Sequence, residues 1–381
     1  MNKRKITTLS APGGKAAGQL VEIGGMLYSS RITGADPHTG RLSREPSEQV
    51  DTAFENLGRI LDQAGAGPDA LGLVTVCISD RNHARHIDKP WTTLFPNENN
   101  RPARKINEYA LPDGELVQIQ VVGAGGQRRQ PIGVPGFTDL QMLGARVGSL
   151  VFSSPIDGRD PSTGRRSDDP KTQMRQAFHN MESFVTQAGG SKDDLIHVFI
   201  FVRSKDDQKD MLDVWLEAFP VDGDRPARKA IFDPTLEKDS KIIHLLCVAV
   251  LDRGKRVNLE VPGISKRHPN PMGCQIDNLV FSSGVGGDDP SGVEVSQDAG
   301  VRAALALQNM RTLLEVAGGS LADVGLVSIT VNDYADQEAI LQQWRQVFPD
   351  PTDQPACHVM AFGGRGSYPV QLHIMAALGR E

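Results

Sequence analysis

Trp91-Thr92-Thr93-Leu94-Phe95-Pro96 returns as Trp215-Leu216-Glu217-Ala218-Phe219-Pro220 and again as Trp344-Arg345-Gln346-Val347-Phe348-Pro349. The intervals are 124 and then 129 residues. The same two intervals separate Ser30, Ser154 and Ser283; Asn56, Asn180 and Asn309; Gly65, Gly189 and Gly318; and Pro102, Pro226 and Pro355. Five markers in one register define a threefold internal repeat, and a period of roughly 125 residues is far longer than the units of stacking solenoids. Each copy is large enough to bury its own core. The copies are assigned to 1–126, 127–253 and 254–381. Gln127-Arg128-Arg129-Gln130 and Asp252-Arg253-Gly254-Lys255-Arg256 read as polar connectors, with Arg128-Arg129 as a solvated linker. The extra residues between the second and third copies fall after Pro226 and before Ser283, outside the third core.

Within one copy, Leu20-Val21-Glu22-Ile23 and Met26-Leu27-Tyr28-Ser29-Ser30 flank Gly24-Gly25, a hairpin signal. Asp36-Pro37-His38-Thr39-Gly40 reads as a turn. Pro46 opens a helix whose apolar residues Val50, Ala53, Phe54, Leu57, Ile60, Leu61 and Ala64 form one stripe, ended by Gly65. Val74, Val76 and Ile78 alternate as in a strand. A second helix carries Trp91, Leu94 and Phe95, and strands near 103–110 and 116–124 close the unit. The order predicts an α+β fold with helices on one sheet face. Three such sheets turning their second faces together predict a central β-barrel with outer helices, an intrachain pseudo-trimer.

The chain of 381 residues carries 41 basic and 47 acidic side chains, a net charge of −6, which disfavours nonspecific nucleic-acid binding. No apolar stretch approaches a membrane span, and Met1-Asn2-Lys3-Arg4-Lys5 has no apolar region behind it. Cys77, Cys247, Cys274 and Cys357 lack Cys-x-x-Cys spacing and read as reduced thiols of a cytoplasmic protein. The nine histidines show no metal-type spacing, so neither a metal nor a cofactor is expected.

Ser29-Ser30-Arg31-Ile32, Asp36-Pro37-x-Thr39-Gly40, Glu48-Gln49 with Asn56-Leu57, Ala64-Gly65 and Arg101-Pro102-Ala103-Arg104 with Leu111-Pro112 together resemble the RidA/YjgF family. The resemblance spans the chain once per copy, through Ser153-Ser154, Asn180-Met181, Ala188-Gly189-Gly190 and Arg225-Pro226-Ala227-Arg228. The third copy carries Ser282-Ser283-Gly284, Asn309-Met310, Ala317-Gly318-Gly319 and Gln354-Pro355-Ala356-Cys357. It implies a chorismate-mutase-like α+β fold, trimers with clefts between neighbouring units, and hydrolysis of reactive imines and enamines to ketones and ammonia. Substrates would be small carboxylates of the 2-imino acid, aminoacrylate or aminomuconate type, and some relatives of this fold cleave chorismate instead.

The resemblance makes the arginine after Pro-Ala the carboxylate anchor, Arg104 and Arg228 here, with Cys357 in its place in the third copy. A planar guanidinium suits that role because it gives a carboxylate two parallel charge-assisted bonds. Where many members carry a last-strand glutamate, this sequence has Gln118, His244 and Gln371. Glutamine orients a water without taking its proton, whereas histidine can do both. The family's Ser-Gly pair becomes Ser30-Arg31, Ser154-Pro155 and Ser283-Gly284, and an upstream tyrosine is replaced near Ala17, Gln141 and Asn270. A Cys357 nucleophile would need a base other than His358, which points to the opposite strand face; His373 is one candidate. Arg365 in Gly363-Gly364-Arg365-Gly366 could restore a cation, and Gly284-Val285-Gly286-Gly287 lacks the lysine of a phosphate loop.

Three readings follow: a deaminase of small imine or enamine carboxylates, catalytic candidates His244, Gln118 and Cys357, binding candidates Arg104, Arg228, Ser30, Ser154, Ser283 and Gln371; a different C–N or C–O hydrolase using His244 or Cys357; or a non-catalytic carboxylate-binding protein. A monomer or a dimer is expected in solution, since the fusion satisfies its own interfaces.

Overall fold

Gly24 and Gly25 both adopt positive φ, 58° and 77°, so a tight turn joins the first long hairpin without splaying its strands. The computed structural model describes residues 3–10, 16–112, 114–137, 143–264, 269–361 and 369–379. Gln141 and the Gly363-Gly364-Arg365-Gly366 loop lie outside the described residues.

The first unit contains β1 (Lys5–Ser10), β2 (Ala16–Ile23), β3 (Met26–Ser29), β4 (Ile32–Thr33), α1 (Pro46–Ala64), β5 (Leu71–Ile78), α2 (Asp88–Leu94), β6 (Ala103–Glu108) and β7 (Val117–Ala124). Its sheet runs β1-β2-β3-β7-β5-β6 with β4 beside β7. Only the β5–β6 pair, joined by the α2 crossover, is parallel among its described pairings. The second unit repeats this with β8 (Arg129–Ile132), β9 (Gly144–Val147), β10 (Leu150–Ser153), β11 (Ile156–Asp157), α3 (Pro170–Gln187), β12 (Leu195–Val202), α4 (Asp207–Ala218), β13 (Ala227–Phe232) and β14 (Ile243–Val250). The third has β15 (Val257–Leu259), β16 (Gly273–Ile276), β17 (Leu279–Ser282), β18 (Val285–Gly286), α5 (Ala299–Val316), β19 (Val324–Val331), α6 (Gln337–Val347), β20 (Ala356–Ala361) and β21 (Val370–Ala377). Strand order is the same in all three sheets.

Each long helix covers one face of its own sheet. On α1 the buried residues Val50, Ala53, Phe54, Leu57, Ile60 and Leu61 lie three and four apart, and they pack on Leu20, Leu27, Val74, Val76, Val117 and Ile119. Full burial of each such large aliphatic contributes about 1.5–3 kcal/mol. The second helix is shorter in the first unit, 7 residues against 12 and 11. Pro90 explains this: without an N–H it fits only the first helical turn, so α2 starts at Asp88 behind a 3₁₀ turn over Arg81–His86.

The second faces of the sheets meet. Val21, Tyr28, Phe152, Ile196, Phe281 and Leu326, two from each unit, belong to one buried cluster. Gly72 admits the Phe152 ring and Gly325 the Tyr28 ring, where a Cβ would collide. Contacts run from β5 to β9 and β10, from β12 to β16 and β17, and from β19 to β2 and β3. The chain of contacts therefore returns to its start. The three ladders nonetheless remain separate, and among the described residues no hydrogen-bonded ladder runs on from one sheet to the next as a closed barrel requires.

The polar connectors require correction. Arg129 begins β8 and is buried, donating to the carbonyls of Pro68, Leu71 and Asn100 in the first unit. Arg256, also buried, grips Lys192, Asp193 and Leu195 carbonyls in the second. These arginines satisfy carbonyls that a packed boundary would otherwise leave dry.

Candidate functional site

The ladder register makes the three boundaries between units equivalent. Arg104 stands opposite Val74, Arg228 opposite Val198 and Cys357 opposite Val327. On the last strands Gln118 pairs with Cys77, His244 with Phe201 and Gln371 with Thr330. Equivalent places thus hold different chemistry.

At the first boundary the Arg104 backbone N–H donates to Ser154 Oγ of the second unit at 3.1 Å. Its guanidinium lies over Trp91, 4.9 Å from the ring centroid, and donates to exposed Asp88 at 3.0 Å. A cleft of about 380 Å³ is lined by Arg104, Ile106, Pro155, Asp157, Lys241 and His244. His244 is buried, with Nε2 2.9 Å from Lys105 Nζ. Burial, then the Lys105 and Lys241 charges, hold this imidazole well below its usual range, so it is neutral at pH 7. Burial likewise drives the Lys105 ammonium well down, opposed by Asp233.

The second boundary is more closed. Arg228 donates its backbone N–H to Ser283 Oγ at 2.9 Å and its guanidinium to Asn270 Oδ1 at 3.2 Å, over Trp215 at 4.9 Å. Its side chain is buried, and desolvation, then Arg225, push it down to about 10. Asn270 also donates to Ser283 Oγ at 3.2 Å. Lys229 reaches Thr330 Oγ1 at 3.3 Å. Gln371 lies over Gly284, where a Cβ would come within 3.2 Å of its amide.

At the third boundary Cys357 is half-buried and packs against its own unit's core. Burial pushes its thiol up to about 12 despite the Arg31 charge. His358 turns away to Gln118 Oε1 at 2.8 Å, with Tyr109 Oη at 3.5 Å. Gln118 donates to Glu115 at 2.7 Å, and Glu115 pairs with Arg31. Ser30 Oγ accepts the Gln19 N–H at 3.0 Å within its own unit. His373 lines a cavity at the centre of the three sheets.

The structure therefore brings Arg104, Ser154 and His244 to one boundary, Arg228, Ser283 and Gln371 to the next, and Cys357 and Gln118 to the third. Sequence reasoning missed Lys105, Lys229 and the Arg31–Glu115 pair, and named Asn270 only as the place of the family's absent tyrosine. The lysines carried a readable signal, since each follows the anchor arginine at the same register.

Three α+β units with clefts at their mutual boundaries define an architecture, and comparison with known proteins supplies the family. The family model described as Endoribonuclease L-PSP matches three times, over residues 14–124, 141–248 and 267–362. The chain belongs to this family, the RidA/YjgF proteins. A RutC family protein of Aquifex aeolicus is 31% identical over 121 residues, 31% of this chain and 97% of that protein. The mouse 2-iminobutanoate/2-iminopropanoate deaminase is 30% identical over 127 residues, 32% of this chain and 93% of its own length. The 3-aminoacrylate deaminase RutC of Acinetobacter baylyi is 34% identical over 96 residues, 25% of this chain and 75% of its own. Among the described residues no helix is long and apolar enough to cross a membrane, and all four cysteines are free.

Proposed function

We propose that the chain is a hydrolytic deaminase of small imine or enamine carboxylates, working in the cleft between the first and second units. The observation that carries this reading is the cleft of about 380 Å³ in which Arg104 of one unit and His244 of the next share the lining. Arg104 anchors the substrate carboxylate, which displaces exposed Asp88 from the guanidinium while Trp91 keeps the fork in place. His244 orients the attacking water, and with Lys105 forms the proton-carrying pair next to the imine nitrogen. The electrophile is intrinsically reactive, so positioning and one proton shuttle suffice. The deaminase names of relatives about 30% identical support the reaction class.

The family description names a nuclease. Arg81, Arg104, Arg159 and Lys241 share this cleft with Glu108, Asp157 and Asp233, and the chain as a whole is net negative, which favours a small anion over a polyanion. A thiol held near 12 weighs against Cys357 as nucleophile. We also infer that the chain works as a trimer within one polypeptide, its sheets arranged as a barrel around the shared core. Light scattering is expected to give a monomer or dimer; a homotrimer of whole chains would defeat intrachain closure. Ammonia release from freshly generated 2-iminopropanoate tests the activity: the reading fails if the protein adds nothing to the spontaneous rate.

A further inference from the structure

The axis on which the three sheets meet is not wholly apolar. A cavity of about 100 Å³ lies there, and each sheet contributes to its wall. Lys105 and Gln120 come from the first sheet, His197 and Lys229 from the second, and His373 from the third. No Asp or Glu is among its described lining residues. The register shows how unusual the polar groups are. His197 occupies the position of Leu73 and Leu326 in the sister sheets, and His373 that of Leu246. His197 is 2% exposed, and neither ring nitrogen makes a well-aligned hydrogen bond, the Ser282 backbone giving only a weak one. The Gln120 amide nitrogen is buried and unpartnered. Leaving such a donor dry is costly, because its desolvation goes uncompensated. Two poorly satisfied donors beside two lysines describe a site built for something absent from the apolar core around it.

We propose that this central cavity binds a small oxyanion, a carboxylate or a phosphate, held by Lys105 and Lys229 with His197 and Gln120 completing its hydrogen bonds. Size limits the ligand: a cavity of ~150 Å³ just holds benzene, so this one suits an ion of acetate or phosphate size. Low dielectric strengthens the attraction of the Lys229 ammonium, and a bound anion in turn favours the protonated form of Lys105. Half-buried Thr75, Asn107, Ser328 and Met360 on the wall keep a path to solvent. Because the ligand touches all three units, its binding stabilises their association by linkage. Through Lys105 it also reaches His244 and hence the first cleft.

Inorganic phosphate and acetate, titrated separately into the full chain with chloride at matched ionic strength, test the site and show which oxyanion it prefers. At least one is expected to bind saturably by calorimetry and to raise Tm. Lys229→Met is expected to weaken that binding about tenfold, while Arg104→Ala, in the cleft, leaves it unchanged. Should Lys229→Met not fold, His197→Phe, which replaces a donor by an apolar ring, gives the same loss. Absence of saturable binding, binding that survives in the folded variants, or binding lost in Arg104→Ala overturns the proposal. The deaminase reading stands or falls separately, on ammonia release.

Discussion

Arg4 donates its Nε–H to the carbonyl of Val324 at 2.8 Å, across 320 residues of chain. The same buried guanidinium reaches Leu321 O, and Asp353 at 2.9 Å. Arg129 and Arg256 do the same to the first and second units. At every boundary an arginine at the start of one sheet grips the turn before β5, β12 or β19, the next-to-edge strand of its neighbour. Two of these boundaries also have the chain running through them; the third-to-first boundary is held by packing, by Arg4 and by the His358–Gln118 hydrogen bond.

Arg4→Met is therefore expected to destabilise the protein by about 1–3 kcal/mol, the cost of leaving buried carbonyls without donors. The urea midpoint reads this, and amide exchange along β19 localises it. An unchanged midpoint together with unchanged exchange would mean that Arg4 does not hold the closure.

The repeat, the hairpin at Gly24-Gly25 and the α1 stripe were legible because each depends on residues a few places apart. Arg129 was not, because its carbonyl partners lie 29 to 61 residues away and a run such as Gln127-Arg128-Arg129-Gln130 resembles any solvated connector. The anchor positions Arg104, Arg228 and Cys357 could be found by counting from the tryptophans. Their different settings could not: Arg104 keeps 34% of its side chain exposed, whereas Arg228 is sealed by Asn270 from the third unit. Likewise Lys105 and His244 meet across 139 residues, a pairing that no local pattern encodes.

Stability is expected to decline as pH falls below about 6.5. Burial, followed by the Lys229 and Arg31 charges respectively, holds His197 and His358 down to about 3, and His244 is also well lowered. The unfolded chain takes up these protons first, so the neutral-histidine contribution is complete above the unfolded value and is lost as pH falls toward 3. The slope is about 1.4 kcal/mol per pH unit for each such histidine. Urea denaturation between pH 7.5 and pH 4.5 measures it. Within that range His197→Phe and His358→Gln should each flatten the curve, and an unaltered slope in both would refute the assignment.

All four thiols should resist alkylation at neutral pH. Burial pushes Cys77 to about 11 and Cys247, Cys274 and Cys357 to about 12. The thiolate is the nucleophile, so little reactive form exists in the folded state. Iodoacetamide at pH 7.5, followed by mass spectrometry, is expected to label the native chain slowly and the urea-unfolded chain fully. Rapid native labelling of Cys357, together with loss of turnover in Cys357→Ser, would revive the thiol as a nucleophile.

The two arginine anchors should separate kinetically. In the first cleft, loss of a bidentate carboxylate contact costs about 2–3 kcal/mol, so Arg104→Ala is expected to lower kcat/KM by about 100-fold, mainly through KM, with partial recovery in Arg104→Lys. Arg228 is buried and already bonded to Asn270, so Arg228→Ala should act more on stability than on turnover. His244→Ala should lower kcat with little change in KM, since its contact is to the water rather than to the carboxylate. A neutral His244 with a lowered pKa also predicts a rate that stays level as pH drops through 6.5 and falls only at distinctly lower pH. Equal losses from Arg104→Ala and Arg228→Ala would move the chemistry into both clefts. A rate that halves near pH 6.5 would put a solvent-exposed histidine, rather than His244, in the reaction.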